Sequence, residues 1–121
     1  MSNVVSIHPY FKIHPGKMEE FLEICEKFVS VTSTESGCLW YDFTKSGDVI
    51  HCREAYEGAA GLLAHADNVN SIIGEALNIS DLIRLEIHAS PDEIVKLKEP
   101  FADLNPEYYE FQMGIGKPVS P

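Results

Sequence analysis

The sequence is short of positive charge. Nine lysine and arginine residues stand against 19 aspartate and glutamate residues, for a formal net charge of -10, and no cluster of basic side chains offsets that sign locally. Such a chain repels phosphate backbones and anionic lipid, so neither nucleic acid nor membrane is an expected partner. Long apolar runs are missing as well. Nothing approaches the ~20 residues that span a bilayer, and the N-terminus has no basic stretch followed by an apolar one. The expectation is a cytoplasmic, unprocessed protein. Cys25, Cys38 and Cys52 are odd in number and widely spaced, and no CxxC pair suggests zinc or thioredoxin-like chemistry. A phosphate-binding glycine loop and a dinucleotide fingerprint are also lacking, so no tightly bound dinucleotide is expected. No cofactor is assigned from the sequence.

What remains is the make-up of one ordinary domain: 121 residues, 45% hydrophobic, enough for a single core. Residues 4–12, VVSIHPYFK, alternate, with Val5, Ile7 and Phe11 on one side and Ser6, His8, Tyr10 and Lys12 on the other. That is the period of a half-buried strand. Pro9, which cannot donate to a ladder, implies a bulge or an unpaired position in it. After His14-Pro15-Gly16-Lys17, Met18, Phe21, Leu22, Cys25, Phe28, Val29 and Thr32 recur at helical spacing, with Glu19 and Glu20 placed to complement the helix dipole.

CLWYDFT (38–44) and VIHCREAY (49–56) flank the turn Lys45-Ser46-Gly47-Asp48 and read as a hairpin, with Leu39, Tyr41 and Phe43 on one face. A second helix is expected from Gly58 to about Leu77, with Gly61, Gly74 and Asp67-Asn68 as the places for a break or kink. DLIRLEIHA (81–89) alternates again, with Ile83, Leu85 and Ile87 inward and Arg84, Glu86 and His88 outward. The order strand, helix, strand, strand, helix, strand is the ferredoxin-like α+β arrangement with an antiparallel sheet. Residues 91–121 add a helix start at Ser90-Pro91 and a candidate fifth strand, EYYEFQMG (107–114). They form an extension of the 1–90 domain, packed on it or exchanged across a dimer. Helices on one face of a sheet leave the other face exposed, and pairing of two copies through that face is the economical cover.

The run HPGKMEEFL, then ESGCLWYDF, then VIHCREAYEGAAGLLAHADN, resembles the antibiotic biosynthesis monooxygenase-type domain of the dimeric α+β barrel superfamily over residues 4–90. The carriers are the Pro-Gly before the first helix, the Gly-Cys-Leu-x-Tyr of the second strand, and Glu54-x-Tyr56 nine residues before His65. The resemblance implies a homodimeric barrel with a ligand cavity between sheet and second helix. It spans oxygenases of phenols and quinols that need no cofactor, haem-degrading enzymes and a sugar-phosphate isomerase. Where haem-degrading members carry Asn, Trp and His, this chain has Pro9, His65 and Glu75. Where many quinol-type members carry a further His, it has Asp67-Asn68-Val69.

His65 sits three residues after Leu62 and four before Val69, inside the apolar stripe of its helix. Two roles stay open for it. It is a packing histidine tied to a carboxylate such as Glu54, or it is the base of a cavity that accepts a small aromatic or carbonyl compound. In the second reading His65 and Glu54 are catalytic, Tyr56 and Tyr41 orient a substrate oxygen, and Trp40 is a stacking wall. A competing constellation, His8, His51 with Arg53, and His88 with Arg84, shares strand parity and would read as a metal site if three rings met at a point. With no HxH or HxxxH spacing to sharpen it, no metal is assigned. The reading is a small cofactor-independent monooxygenase or related enzyme acting on a small aromatic or carbonyl compound. A non-catalytic ligand-binding or dimerisation module is the rival, and an isomerase or lyase using the same base without oxygen is a third reading.

Overall fold

A computed structural model describes residues 3–116. The last part of the expected extension, residues 117–121, lies outside the described residues. Strand β1 (Val4–Ile13) leads to helix α1 (Met18–Thr32) and the hairpin β2 (Cys38–Ser46) and β3 (Val49–Glu57). Helices α2 (Gly58–Asn68) and α3 (Asn70–Asn78), strand β4 (Ser80–Ala89), helix α4 (Pro91–Lys98), a 3-10 turn (Ala102–Leu104) and strand β5 (Glu107–Glu110) complete the chain. The sheet runs β2-β3-β1-β4-β5, the ferredoxin-like order with one strand added at the β4 edge. That strand lies parallel to β4, so the sheet is mixed and not purely antiparallel.

Strand period puts alternate side chains on the two faces. One face, with Val5, Ile7, Phe11, Ile50, Cys52, Glu54, Tyr56, Leu85 and Ile87, is buried under the helices. Two clusters fill this space. The first joins Val5, Tyr56, Leu62 and Ile87 to Ile94, Leu97 and Phe101 of the extension; the second joins Phe11, Phe21, Phe28 and Ile50 to Val69, Ile72 and Ala76. The extension therefore contributes to the main core.

Several expectations shift by one position, each for a geometric reason. In α1 the buried stripe is Phe21, Ile24, Cys25, Phe28 and Thr32, while Leu22 and Val29 are exposed, because the stripe follows the i, i+3, i+4 row centred on Ile24 and Phe28. The expected second helix is two, meeting at Val69, next to Asp67-Asn68, one of the three expected break positions. Leu39 falls between Cys38, opposite Tyr56, and Trp40, opposite Ala55. Ile83 is skipped between the pairs Tyr10–Arg84 and Phe11–Leu82. Both are bulge residues; an extra residue in one strand changes the phase of the alternation. Leu39 and Ile83 are consequently exposed, at 37% and 54%, and not inward. Pro9 is buried and pairs with Leu85 of β4, whereas pairing with β3 lapses between Ile7 and Tyr10, as a residue with no N–H requires.

Candidate active site

His65 reaches the sheet because Ala59, Leu62 and His65 occupy one face of α2 and all are buried. What stands behind it is set by two glycines. The turn after α1 crosses α2 so closely that a Cβ on Gly37 would lie 3.2 Å from the Gly61 Cα, and a Cβ on Gly61 would lie 3.1 Å from the Tyr56 Cβ. A side chain at either position would force its neighbour back by a few tenths of an ångström, so glycine is what allows so close an approach. A hydrogen bond from the Glu57 N–H to the Gly37 carbonyl, 2.8 Å, fixes the crossing. Glu35, two residues earlier, is thereby delivered to the imidazole.

The resulting chain of polar groups is continuous. His65 Nδ1 lies 2.9 and 3.0 Å from the two Glu35 carboxylate oxygens. Asn68 Nδ2 donates to the same carboxylate at 2.9 Å. On the other side of the ring, Nε2 stands 3.5 Å from Glu54 Oε1, and the Tyr56 hydroxyl donates to that oxygen at 2.5 Å. Tyr41 and Tyr56 pack their rings 5.2 and 4.9 Å from the imidazole, centroid to centroid. An ionised carboxylate only accepts, so Glu35 favours the neutral ring's proton on Nδ1 and leaves Nε2, on the Glu54 side, unprotonated.

Inward lies a cavity of about 100 Å³. His65, Glu54, Tyr41 and Cys52 form its polar end, and Ile7, Phe11, Val69, Leu85 and Phe101 are among its apolar walls. Burial drives the electrostatics there. Desolvation pushes the Glu54 carboxyl up to about 7, against the opposing pull of hydrogen bonds from Tyr56 and Cys52. His65 is pushed below its ordinary value by desolvation, with Glu35 opposing. Tyr41 and Tyr56 are pushed up, first by desolvation and then by the neighbouring Glu54 charge. The arrangement supplies a neutral imidazole base and a carboxyl that titrates near neutrality, side by side in an apolar enclosure.

Of the residues singled out from sequence, His65, Glu54, Tyr56 and Tyr41 come together. Trp40 does not: it is 43% exposed and lies apart from the cavity, because adjacent strand positions face opposite ways and Tyr41 takes the inward one. Glu35 and Asn68 were not singled out. An acid followed two residues later by glycine at a helix end was the available signal, and it needed the helix crossing to acquire meaning. The competing histidines do converge, on the other sheet face. His8 stacks on His51 at 5.9 Å and meets His88 edge-on at 4.7 Å between ring centroids. Their nitrogens, however, face Ser6, the Pro9 carbonyl and Glu86. Among the described residues no group of three or more His, Cys, Asp or Glu side chains is placed to hold a metal ion. No described helix is long and apolar enough to cross a membrane.

Comparison with known proteins gives this geometry a family. The family model for antibiotic biosynthesis monooxygenase matches residues 4–68, over half of the chain. The crystal structure of MupZ from Pseudomonas fluorescens is 35% identical, with a TM-score of 0.92, covering 98% of this chain and 99% of that one. A conserved protein of unknown function from Bacteroides thetaiotaomicron VPI-5482, described as a possible oxidoreductase, is 20% identical over 72% of this chain and 97% of its own, with a TM-score of 0.65. Rv0793 from Mycobacterium tuberculosis is also 20% identical, over 75% and 98%, with a TM-score of 0.65. These last two likenesses show the fold. No curated protein matches the sequence. The chain belongs to the antibiotic biosynthesis monooxygenase family.

Proposed function

We propose that this protein is a small acid–base enzyme that oxygenates a small aromatic or carbonyl compound without a cofactor. The carrying observation is that His65 lines an apolar cavity with its Nε2 3.5 Å from Glu54 Oε1, while Nδ1 is tied to Glu35. A phenol or an activated C–H gives its proton to Nε2, and the anion left behind is electron-rich enough to pass an electron to dioxygen. Tyr41 and the apolar walls hold the substrate. Tyr56, its hydroxyl engaged by Glu54, sets the Glu54 carboxyl and does not itself contact substrate. Trp40 has no part in this version of the site.

One observation favours a second reading. The Glu54 carboxyl, held near 7 beside a base, is suited to return a proton at a different atom, which is isomerisation and needs no oxygen. Dioxygen consumption separates the two. A panel of small phenols, quinols and carbonyl compounds is offered to wild type and His65→Ala in air and under argon. The oxygenase reading expects oxygen uptake that falls by 10² or more in the variant. Turnover that persists under argon moves the assignment to an isomerase. Saturable binding with no turnover in either gas leaves a ligand-binding module. We further infer a homodimer through the open sheet face, where Tyr10 stacks on His51 and Tyr109 on His88. Light scattering that shows a monomer at every concentration would remove that part.

A further inference from the structure

We propose that Glu35 is the positioning residue and proton outlet of the buried base, an inference that rests on the acid–base reading of the cavity. The cavity at Nε2 is apolar apart from a few groups, and the Nε2 side of His65 is enclosed by β2, β3 and α2. The Nδ1 side is different. Glu35 and Asn68 line a second depression on the outside of the same helix, together with Thr34, Ser36, Gly37, Glu57 and Asp67. Glu35 is thus the one described side chain hydrogen-bonded to His65 that also borders this outer groove. Its side chain is 9% exposed, enough to meet water at one edge while its inner edge holds the ring.

Chemistry follows from that placement. An imidazole can gain a proton at one nitrogen and lose one at the other. A proton taken at Nε2 from a cavity-bound acid makes imidazolium beside the Glu35 carboxylate, so the pair goes from a charge of about -1 to about zero while the bound acid becomes an anion. The Nδ1 proton then passes along the 2.9 Å bond to Glu35 and out to the groove, leaving a neutral ring protonated at Nε2. The ring returns to its starting state when Nε2 gives its proton to the product and Nδ1 recovers one through Glu35. No electron moves and no co-reactant is required. Asn68, donating to Glu35 at 2.9 Å, keeps the carboxylate from rotating away. The close approach of Gly37 to Gly61 is what brings the outlet within reach.

The groups facing His65 are Glu35 from the turn after α1, Tyr41 from β2, and Glu54 and Tyr56 from β3; Glu35 is the only one of these on the groove side. The experiment therefore reads His65 itself and needs no substrate. Ring nitrogen NMR of wild type, Glu35→Gln and Glu35→Ala reports the tautomer, and exchange of the Nδ1 proton with water reports the outlet. Wild type should show one tautomer, with the proton on Nδ1. Glu35→Ala should show a mixture of tautomers and a His65 titration displaced to lower pH. Glu35→Gln keeps the shape of the turn and guards against loss of folding; it should slow Nδ1 exchange at least tenfold. A folded Glu35→Gln with unchanged exchange, or a folded Glu35→Ala with an unchanged tautomer, would overturn the proposal. Should the tautomer and exchange results hold while no compound of the panel turns over, the outlet stands and the enzymatic reading fails.

Discussion

The two faces of the sheet carry histidines in opposite settings. Under the helices, His65 is 5% exposed and has a carboxylate at each nitrogen, Glu35 on Nδ1 and Glu54 near Nε2. On the open face, His8 is half-buried among other rings, with His51 stacked on one side and His88 on the other. Both are shifted to lower pKa, and in both desolvation is the leading cause. The second cause differs in sign. Glu35 pulls His65 back up, whereas His88 and His51 push His8 further down, to about 4. Burial alone does not make a histidine useful as a base. A charge partner that offsets burial, as Glu35 does at Nδ1, is what keeps a buried imidazole within reach of the proton exchange proposed for His65.

The strongest way to break that contrast is to remove what seals the buried face. Truncation after Ser90 takes away Ile94, Leu97 and Phe101, all buried in the cluster that holds Tyr56 and Leu62, and Phe101 also walls the cavity. At about 1.5–3 kcal/mol for each large apolar side chain, the loss is on the order of 5 kcal/mol or more, comparable to the whole stability of a small domain. The cut also removes Glu93, whose carboxylate accepts a hydrogen bond from the Ala59 N–H at 2.7 Å and caps the helix carrying His65. Thermal unfolding should show the 1–90 fragment unfolded or molten at 25 °C. A fragment with an unchanged midpoint would make the extension an ornament.

A smaller and sharper test addresses the Glu54 carboxyl. Its folded pKa, about 7, lies above the ordinary carboxylate value of 4.5. The folded state thus holds this proton more tightly than the unfolded chain does. The stabilising contribution is complete below about 4.5 and is lost as pH rises towards about 7, at up to about 1.4 kcal/mol per pH unit. Glu54→Gln cannot titrate and keeps an acceptor for the Tyr56 hydroxyl. Denaturant melts of wild type and variant between pH 4.5 and 7.5 should converge at the acid end, with the variant relatively more stable at the alkaline end. Parallel curves would mean that Glu54 is solvated in the folded protein and is no candidate for proton return.

Much of this architecture is legible in the sequence, and the misses have definite causes. Alternation and helical spacing locate β1, α1, the hairpin and β4, because one face of each must be apolar. Leu39 and Ile83 mislead because each is the extra residue of a bulge, and no local propensity marks a bulge when the residue is itself a good strand former. At the site, His65 stands out as a polar residue inside an apolar stripe, and Glu54 and Tyr56 stand out by sharing a strand face. Glu35 looks like any acid in a polar turn. Its role depends on two glycines 24 positions apart in sequence meeting in space, a non-local fact that one sequence cannot display. Parity did put His8, His51 and His88 on one face, but parity says nothing of where their nitrogens point.

The smallest expected effect belongs to the open face and tests the contrast from the other side. His8 titrates at about 4 when folded, against 6.5 for an unperturbed imidazole. Between those values the unfolded chain binds the proton and the folded one does not. Stability contributed by His8 is therefore complete above about 6.5 and lost as pH falls towards about 4, opposite in direction to Glu54. His8→Asn removes this acid-side loss, keeps a polar partner for the Ser6 hydroxyl, which lies 2.9 Å from His8 Nε2, and should leave stability above pH 7 within about 0.5 kcal/mol of wild type. Solvent screens the open face, so the gain near pH 5 should be well below the Glu54 effect. The same melts, run at two protein concentrations, read more than stability. If a second copy covers this face, burial of the histidines deepens, and the acid-side loss in wild type grows with protein concentration while that of His8→Asn does not. A concentration-independent difference would instead assign the whole shift to packing within one chain.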